Sequence, residues 1–249
     1  MRVPTAPELL VIWERGQQQV APHKALLLLS AACPEIAPEA LVALSIGQRD
    51  AFLLTLREQL FGTHLNSVVR CQICSEQLEL NFSTTEMRIT NAAAALENCT
   101  PQKACSLQLR GYDIRFRVPN SQDLLALTEQ HNVSKSALLE RCILHIKVRG
   151  KNKRAAELPE NVQAALSKAM AEADPQADLQ LALQCPACQH QWQVAFDILT
   201  FLWSELQTWA HRMLREVHLL ARAYGWSEAD ILAMNPGRRY TYLALIAAR

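Results

Sequence analysis

The sequence predicts an α+β fold, mainly helical, in which a small split sheet is assembled from two distant stretches of the chain. Three observations carry that expectation. First, CQICSEQLELNF (Cys71 to Phe82) and CPACQHQWQVAF (Cys185 to Phe196) are near copies of each other. Each has Cys-x2-Cys, three residues, then apolar side chains on alternate positions: Leu78, Leu80 and Phe82 in one, Trp192, Val194 and Phe196 in the other. Second, extended-looking runs precede both, with Leu65, Val68 and Val69 before Cys71 and Leu179, Leu181 and Leu183 before Cys185. Third, half of the 249 residues are hydrophobic and only seven are Gly, a composition that favours helix elsewhere.

Taken in order, the first sixty residues read as helical. Pro7 to Arg15 is a short candidate, and Pro22 to Ala32 is an apolar one opened by a helix-starting proline. Ser45-x-x-Gln48 matches a capping box for a helix through Leu60, and Gly62 stands where a terminating glycine belongs. Leu53, Leu56 and Leu60 share one face of that helix, with Arg49, Asp50, Arg57 and Glu58 elsewhere, an amphipathic pattern. The expected organisation is residues 1–62 as N-terminal helices, 63–83 and 177–197 as a split ribbon, 84–176 as an insertion and 198–249 as C-terminal helices.

Within the insertion, Leu107 to Val118 alternates around Gly111 and reads as a hairpin able to extend the ribbon sheet. Ser121 and Ser134 are expected to start helices, the second running through Ile146, and Pro159 to Ala173 is a third. Lys147, Arg149, Lys151, Lys153 and Arg154 make a basic turn around Gly150; no aromatic is interleaved with it, so a solvated loop is the expectation. Ile198 to Tyr224 carries Leu202, Leu206, Trp209, Met213, Val217, Leu220 and Tyr224 at helical spacing, with Gly225 as its stop. A short helix through Met234 and a last one from Arg238 to Ala248 follow.

Two thiolates from one tight turn can take two corners of a tetrahedron, and a second such turn can supply the rest. Cys71, Cys74, Cys185 and Cys188 are therefore expected to hold one zinc ion, with Zn–S distances of about 2.3 Å. Four thiolates also suit iron, and His190 stands close enough in sequence to replace a cysteine. A disulfide framework belongs to short secreted chains, whereas this one is long and shows no signal-peptide pattern. A redox Cys-x-x-Cys needs a helix starting at the motif; here both motifs run into period-two segments. Four cysteines close the metal shell, so the zinc is expected to be structural and no catalytic residue is assigned. Metalloprotease, phosphate-loop and nucleophile-elbow motifs are absent from the sequence, and no enzyme is expected. Cys33, Cys99, Cys105 and Cys142 read as reduced thiols, which fits a cytoplasmic location.

With 25 basic and 24 acidic residues the net charge is +1, which provides no global field for nucleic acid or membrane. A zinc-ribbon nucleic-acid-binding protein is the alternative reading, and the charge balance speaks against it. Trp203, Trp209 and Trp226 either pack on the ribbon sheet or form a docking surface with Arg238, Arg239 and Tyr242, since Trp, Tyr and Arg dominate interface hot spots.

Several segments carry a family resemblance: Leu44-Ser45-Ile46-Gly47-x-Arg49-Asp50-Ala51, Leu56-Arg57-Glu58 and Phe61-Gly62 ahead of the first Cys pair; then Phe196-Asp197-Ile198, Phe201-Leu202-Trp203, Ala223-Tyr224-Gly225-Trp226-Ser227-Glu228 and Arg238-Arg239-x-x-Tyr242-Leu243. Together they resemble the baseplate hub assembly chaperones of T-even-type phages, and more closely their relatives in extracellular contractile injection systems. Thr84 to Cys105 and Lys147 to Asp178 contribute nothing to the likeness. The resemblance implies a non-enzymatic accessory protein that holds a baseplate or hub component in an assembly-competent state and need not stay in the finished particle. Only the four cysteines carry over as a site, as structural metal ligands.

Overall fold

The computed structural model describes residues 1–89, 104–109, 111–130, 134–148, 151–152 and 158–248. Cys99, His131 and most of the basic turn (149–150 and 153–154) lie outside the described residues. The architecture is α+β with helix dominant, as the composition implied. Four helices lead: α1 (Ala6–Gly16), α2 (Ala21–Ala32), α3 (Pro38–Ala43) and α4 (Ile46–Phe61). The hairpin of β1 (His64–Arg70) and β2 (Gln77–Ser83) follows, then the one-turn helix α5 (Thr84–Met87). After β3 (Cys105–Leu109) and β4 (Tyr112–Phe116) come α6 (Ser121–Glu129), α7 (Lys135–Cys142), β5 (Ile143–Val148), β6 (Lys151–Asn152) and α8 (Glu160–Ala173). A 3-10 turn at Pro175–Ala177 leads into the hairpin of β7 (Gln180–Gln184) and β8 (Gln191–Ala195). The chain then runs through α9 (Ile198–Tyr224), α10 (Glu228–Ala233) and α11 (Pro236–Ala247).

Helix boundaries follow their chemistry. Ser45 Oγ accepts the Gln48 N–H at 3.1 Å while Gln48 Oε1 accepts the Ser45 N–H at 3.0 Å, the reciprocal capping box at the start of α4. Asp197 accepts from the Leu199 N–H at 3.0 Å and so starts α9, which Gly225 ends at φ 70°, a left-handed geometry that a side chain would strain. The main core joins α1, α2, α4 and α9: Leu10 and Ile12 of α1 are buried in it, and Leu28, Leu29, Leu53, Leu54, Leu202 and Leu206 fully so. Trp203 belongs to this core. It lies against Gly16, where a Cβ would clash with the indole, and beneath Lys24 at 4.9 Å. It packs on the N-terminal helices and not on the ribbon sheet.

Three expectations need correction. The amphipathic pattern of α4 does not leave its charged side solvated. Arg49, Asp50 and Arg57 are 5, 8 and 2 % exposed, because α2, α9 and the 3-10 turn enclose it, and its charges are paired internally. Arg57 forks onto Glu205 at 2.9 and 2.7 Å and reaches Gly62 O at 2.7 Å. The Leu107–Val118 hairpin does form, as β3 and β4, but it does not extend the ribbon. It joins β5 and β6 in a separate four-stranded sheet with its own core of Ile114, Phe116, Ile146, Val162 and Leu166. Finally, the helix begun at Ser134 ends at Cys142, and Ile143–Val148 is a strand. A register shift at Arg115/Phe116 sets Ile143 opposite Phe116 and Ile146 opposite Ile114, so three-residue apolar spacing of helical appearance serves a strand. α3 had no signal strong enough to anticipate.

Candidate metal centre

Each hairpin places its Cys-x2-Cys at the tip, between two strands paired in full register. The two turns are built alike. Ser75 N–H reaches Cys71 O at 3.0 Å and Gln189 N–H reaches Cys185 O at 2.9 Å; Cys71 N–H reaches Glu76 O at 2.9 Å and Cys185 N–H reaches His190 O at 2.8 Å. The residue after the second cysteine is left-handed in both, Ser75 at φ 62° and Gln189 at φ 61°. Side chains resist that conformation by about 1–2 kcal/mol. Two such residues at equivalent positions imply that something at the tips holds the turns in shape.

What the turns present is sulfur. The two hairpins are separate two-stranded sheets with no ladder between them. Phe82 meets Phe196 edge-on at 5.6 Å near their bases, and the tips converge so that the four sulfurs of Cys71, Cys74, Cys185 and Cys188 all lie within 4.8 Å of one another. Cys71 Sγ is 3.6 Å from Cys188 Sγ, and Cys74 Sγ is 3.5 Å from Cys185 Sγ. These contacts cross between hairpins and are far longer than the bond of about 2.05 Å in a disulfide. A tetrahedron with metal–sulfur distances of about 2.3 Å has edges of about 3.8 Å. The sulfur cluster fits a four-thiolate metal ion. The first cysteine of each pair is buried and the second exposed, so the site sits at the edge of the fold.

Electrostatics agree. Backbone N–H groups of Cys74 and, after a burial penalty, Ile73 hold the Cys71 thiol down at about 7. At Cys74 the Glu76 N–H works in the same sense, but burial and the neighbouring sulfurs outweigh it and push the thiol up to about 12. Four sulfurs this close cannot all carry charge unaided, and a dication is what would let them. His190 does not join the cluster; it stacks on Trp192 at 5.4 Å.

The other residues singled out in the sequence fall elsewhere. Trp203 is buried in the main core. Arg239 is buried as well, held by Glu216 at 3.2 Å and Met234 O at 2.7 Å, and fastens α11 to α9. Trp226 and Tyr242 come together with Tyr224 in a half-exposed aromatic cluster, with ring centroids 4.5, 4.8 and 5.5 Å apart and Arg238 over Tyr242 at 5.9 Å. Tyr240 beside it is 75 % exposed. Trp209 is separate, lining a groove of about 300 Å³ with Phe61, Phe201 and Arg212. Sequence reasoning missed the buried Arg49–Asp50 pair. The available signal was two adjacent charges directly ahead of the apolar run from Ala51 to Leu54. No described helix is long and apolar enough to cross a membrane.

A family model described as T4 bacteriophage base plate protein matches residues 8–203, a span that includes both hairpins and all four cysteines. No curated protein and no solved structure matches the chain.

Proposed function

We propose that this chain, which belongs to the T4 bacteriophage base plate protein family, is a non-enzymatic assembly chaperone for the baseplate hub of a phage-tail-like contractile injection system. The observation that carries the reading is the family match over both hairpins, combined with a sulfur cluster that leaves no coordination position for substrate. Cys71, Cys74, Cys185 and Cys188 would hold one zinc ion, and its contribution would be mechanical. Metal-binding free energy becomes folding free energy when the ligands come from segments far apart in sequence.

Client binding falls to the C-terminal face. The Tyr224, Trp226 and Tyr242 cluster with Arg238 offers stacked aromatic area and a cation at half-exposed positions, the composition of an interface anchor. Trp209 in its separate groove offers a second contact, Arg239 fastens the helix that carries Tyr242, and Trp203 anchors the start of α9 in the core. The near-neutral charge keeps nucleic acid in second place as a partner. The chain acts in the cytoplasm of the producing cell and is not required in the finished particle. Deleting its gene should leave tail components that lack assembled baseplates, and restoring it in trans should return complete particles. Complete particles from the deletion strain would contradict the reading.

A further inference from the structure

A cavity of about 290 Å³ opens where α2, α4, α6, the start of β7 and the end of β8 meet. It lies outside the sulfur cluster and the aromatic face. Pro22, Leu124 and Leu179 form an apolar wall, wide enough for the alkyl stem of a long side chain. Arg49 and Asp50 form its buried end, with side chains 6 and 11 % exposed. Asp178 and Asp197 stand at its exposed rim.

The pairing at the buried end is lopsided. Arg49 Nε donates to Asp50 Oδ1 at 2.8 Å, and Arg49 Nη2 lies 2.7 Å from the same oxygen. Asp50 Oδ2 receives no hydrogen bond among the described residues. That oxygen keeps solvent access at the cavity, so its lone pairs are open to a donor from outside. Three carboxylates and one guanidinium line the cavity, so its field is negative. Burial pushes the Asp50 carboxyl up to about 6; Arg49 opposes the rise, and Asp197 and Asp174 add to it. Among the described residues, the one cation in the lining, Arg49, is already engaged by Asp50.

We propose that this cavity is a binding pocket for an arginine side chain presented by a partner protein. The stem lies along the apolar wall, the guanidinium donates to Asp50 Oδ2, and Asp178 and Asp197 attract it at the rim. Arginine suits the depth better than lysine, because a guanidinium is more weakly hydrated and its planar fork matches a carboxylate edge. The pocket is drawn from this chain's own geometry and does not depend on the identity of the client or on the aromatic face.

The test uses the full metal-loaded chain and N-acetyl-L-argininamide as probe, followed by amide chemical shifts of the first turn of α4. Saturable shifts at Gly47 to Ala51 are expected, with none from the neutral isostere N-acetyl-L-citrullinamide. Asp50→Asn should weaken probe binding about tenfold or more, the value of a hydrogen bond to a charged group. Should Asp50→Asn fail to fold, Asp178→Asn at the exposed rim carries the test and should weaken binding about two- to fivefold. No saturable response, an equal response to citrullinamide, or an affinity untouched by the substitutions would overturn the proposal.

Discussion

Removing the metal should unfold the two Cys-x2-Cys turns and spare the helical core. Cys71–Glu76 and Cys185–His190 are twelve residues, and ordering them costs roughly 12–24 kcal/mol at about 1–2 kcal/mol each. The protein offers little in return at the tips. The local apolar cluster has only Cys71, Leu78 and Cys185 buried, with Val69 and Trp192 against them, and burying Leu78 contributes about 2 kcal/mol. The four turn hydrogen bonds add about 1 kcal/mol each. A structural zinc ion supplies about 10–16 kcal/mol, which brings the sum to balance. Without it the tips fall short by roughly 10 kcal/mol, more than two short hairpins can absorb. The bases differ, because Leu65 is fully buried in the main core and Phe82 meets Phe196 there. Hydrogen exchange of the purified chain, which should carry one zinc per molecule by elemental analysis, separates the two parts. After chelation the amides of Cys71, Ser75, Cys185 and Gln189 should exchange within seconds, while α4 and the first half of α9 stay slow. Retained protection at the tips after complete metal removal would refute the reasoning. Simultaneous loss in α4 would show that the metal supports the whole fold.

Two further sets of substitutions probe parts of the molecule away from the tips. Asp123 is 1 % exposed by side chain and accepts from Arg117 at 2.6 and 2.8 Å and from Arg141 at 3.2 Å; burial alone would raise its carboxyl, but Arg117 and the Asn120 N–H outweigh it and hold it below its ordinary value. Its stabilisation is therefore present above the unfolded carboxylate pKa of about 3.9 and lost as pH falls through the lower folded value, so Asp123→Asn should cost about 2–4 kcal/mol at pH 7, and the cost should shrink in urea titrations as the pH is taken down through that value. Replacing Cys33, Cys105 or Cys142 by Ala should cost at most about 1–2 kcal/mol and leave the zinc content unchanged; zinc loss in any of them would mean the ligand set is wrong.

How much was legible in the sequence follows from how local each signal is. The sulfur cluster was readable because Cys-x2-Cys is a local motif, and its repetition specifies the second half of the site wherever the chain brings it. Capping residues such as Ser45 and Ser134 are equally local. The fate of the Leu107–Val118 hairpin was not, since alternation makes a strand but does not choose its neighbour. Ile143 to Val148 took the open edge of β4, with a register shift hiding the strand period. The burial of Arg57 was not legible because its partner Glu205 lies far away in sequence, and that of the adjacent Arg49–Asp50 pair because the elements covering it do. Arg239 and Trp203 were similarly placed by tertiary contacts that no window of sequence contains.

The most direct test of the assembly role is capture. The tagged chain, expressed together with its neighbouring genes, is purified and its companions are identified by mass spectrometry. A baseplate or hub protein is expected to copurify with the wild-type chain, and to be lost or reduced about tenfold with Trp226→Ala or Arg238→Ala, the value of a single hot-spot anchor, at unchanged zinc content. A chain recovered alone would contradict the assembly role, and undiminished capture by both variants would remove the C-terminal aromatic face as the client surface.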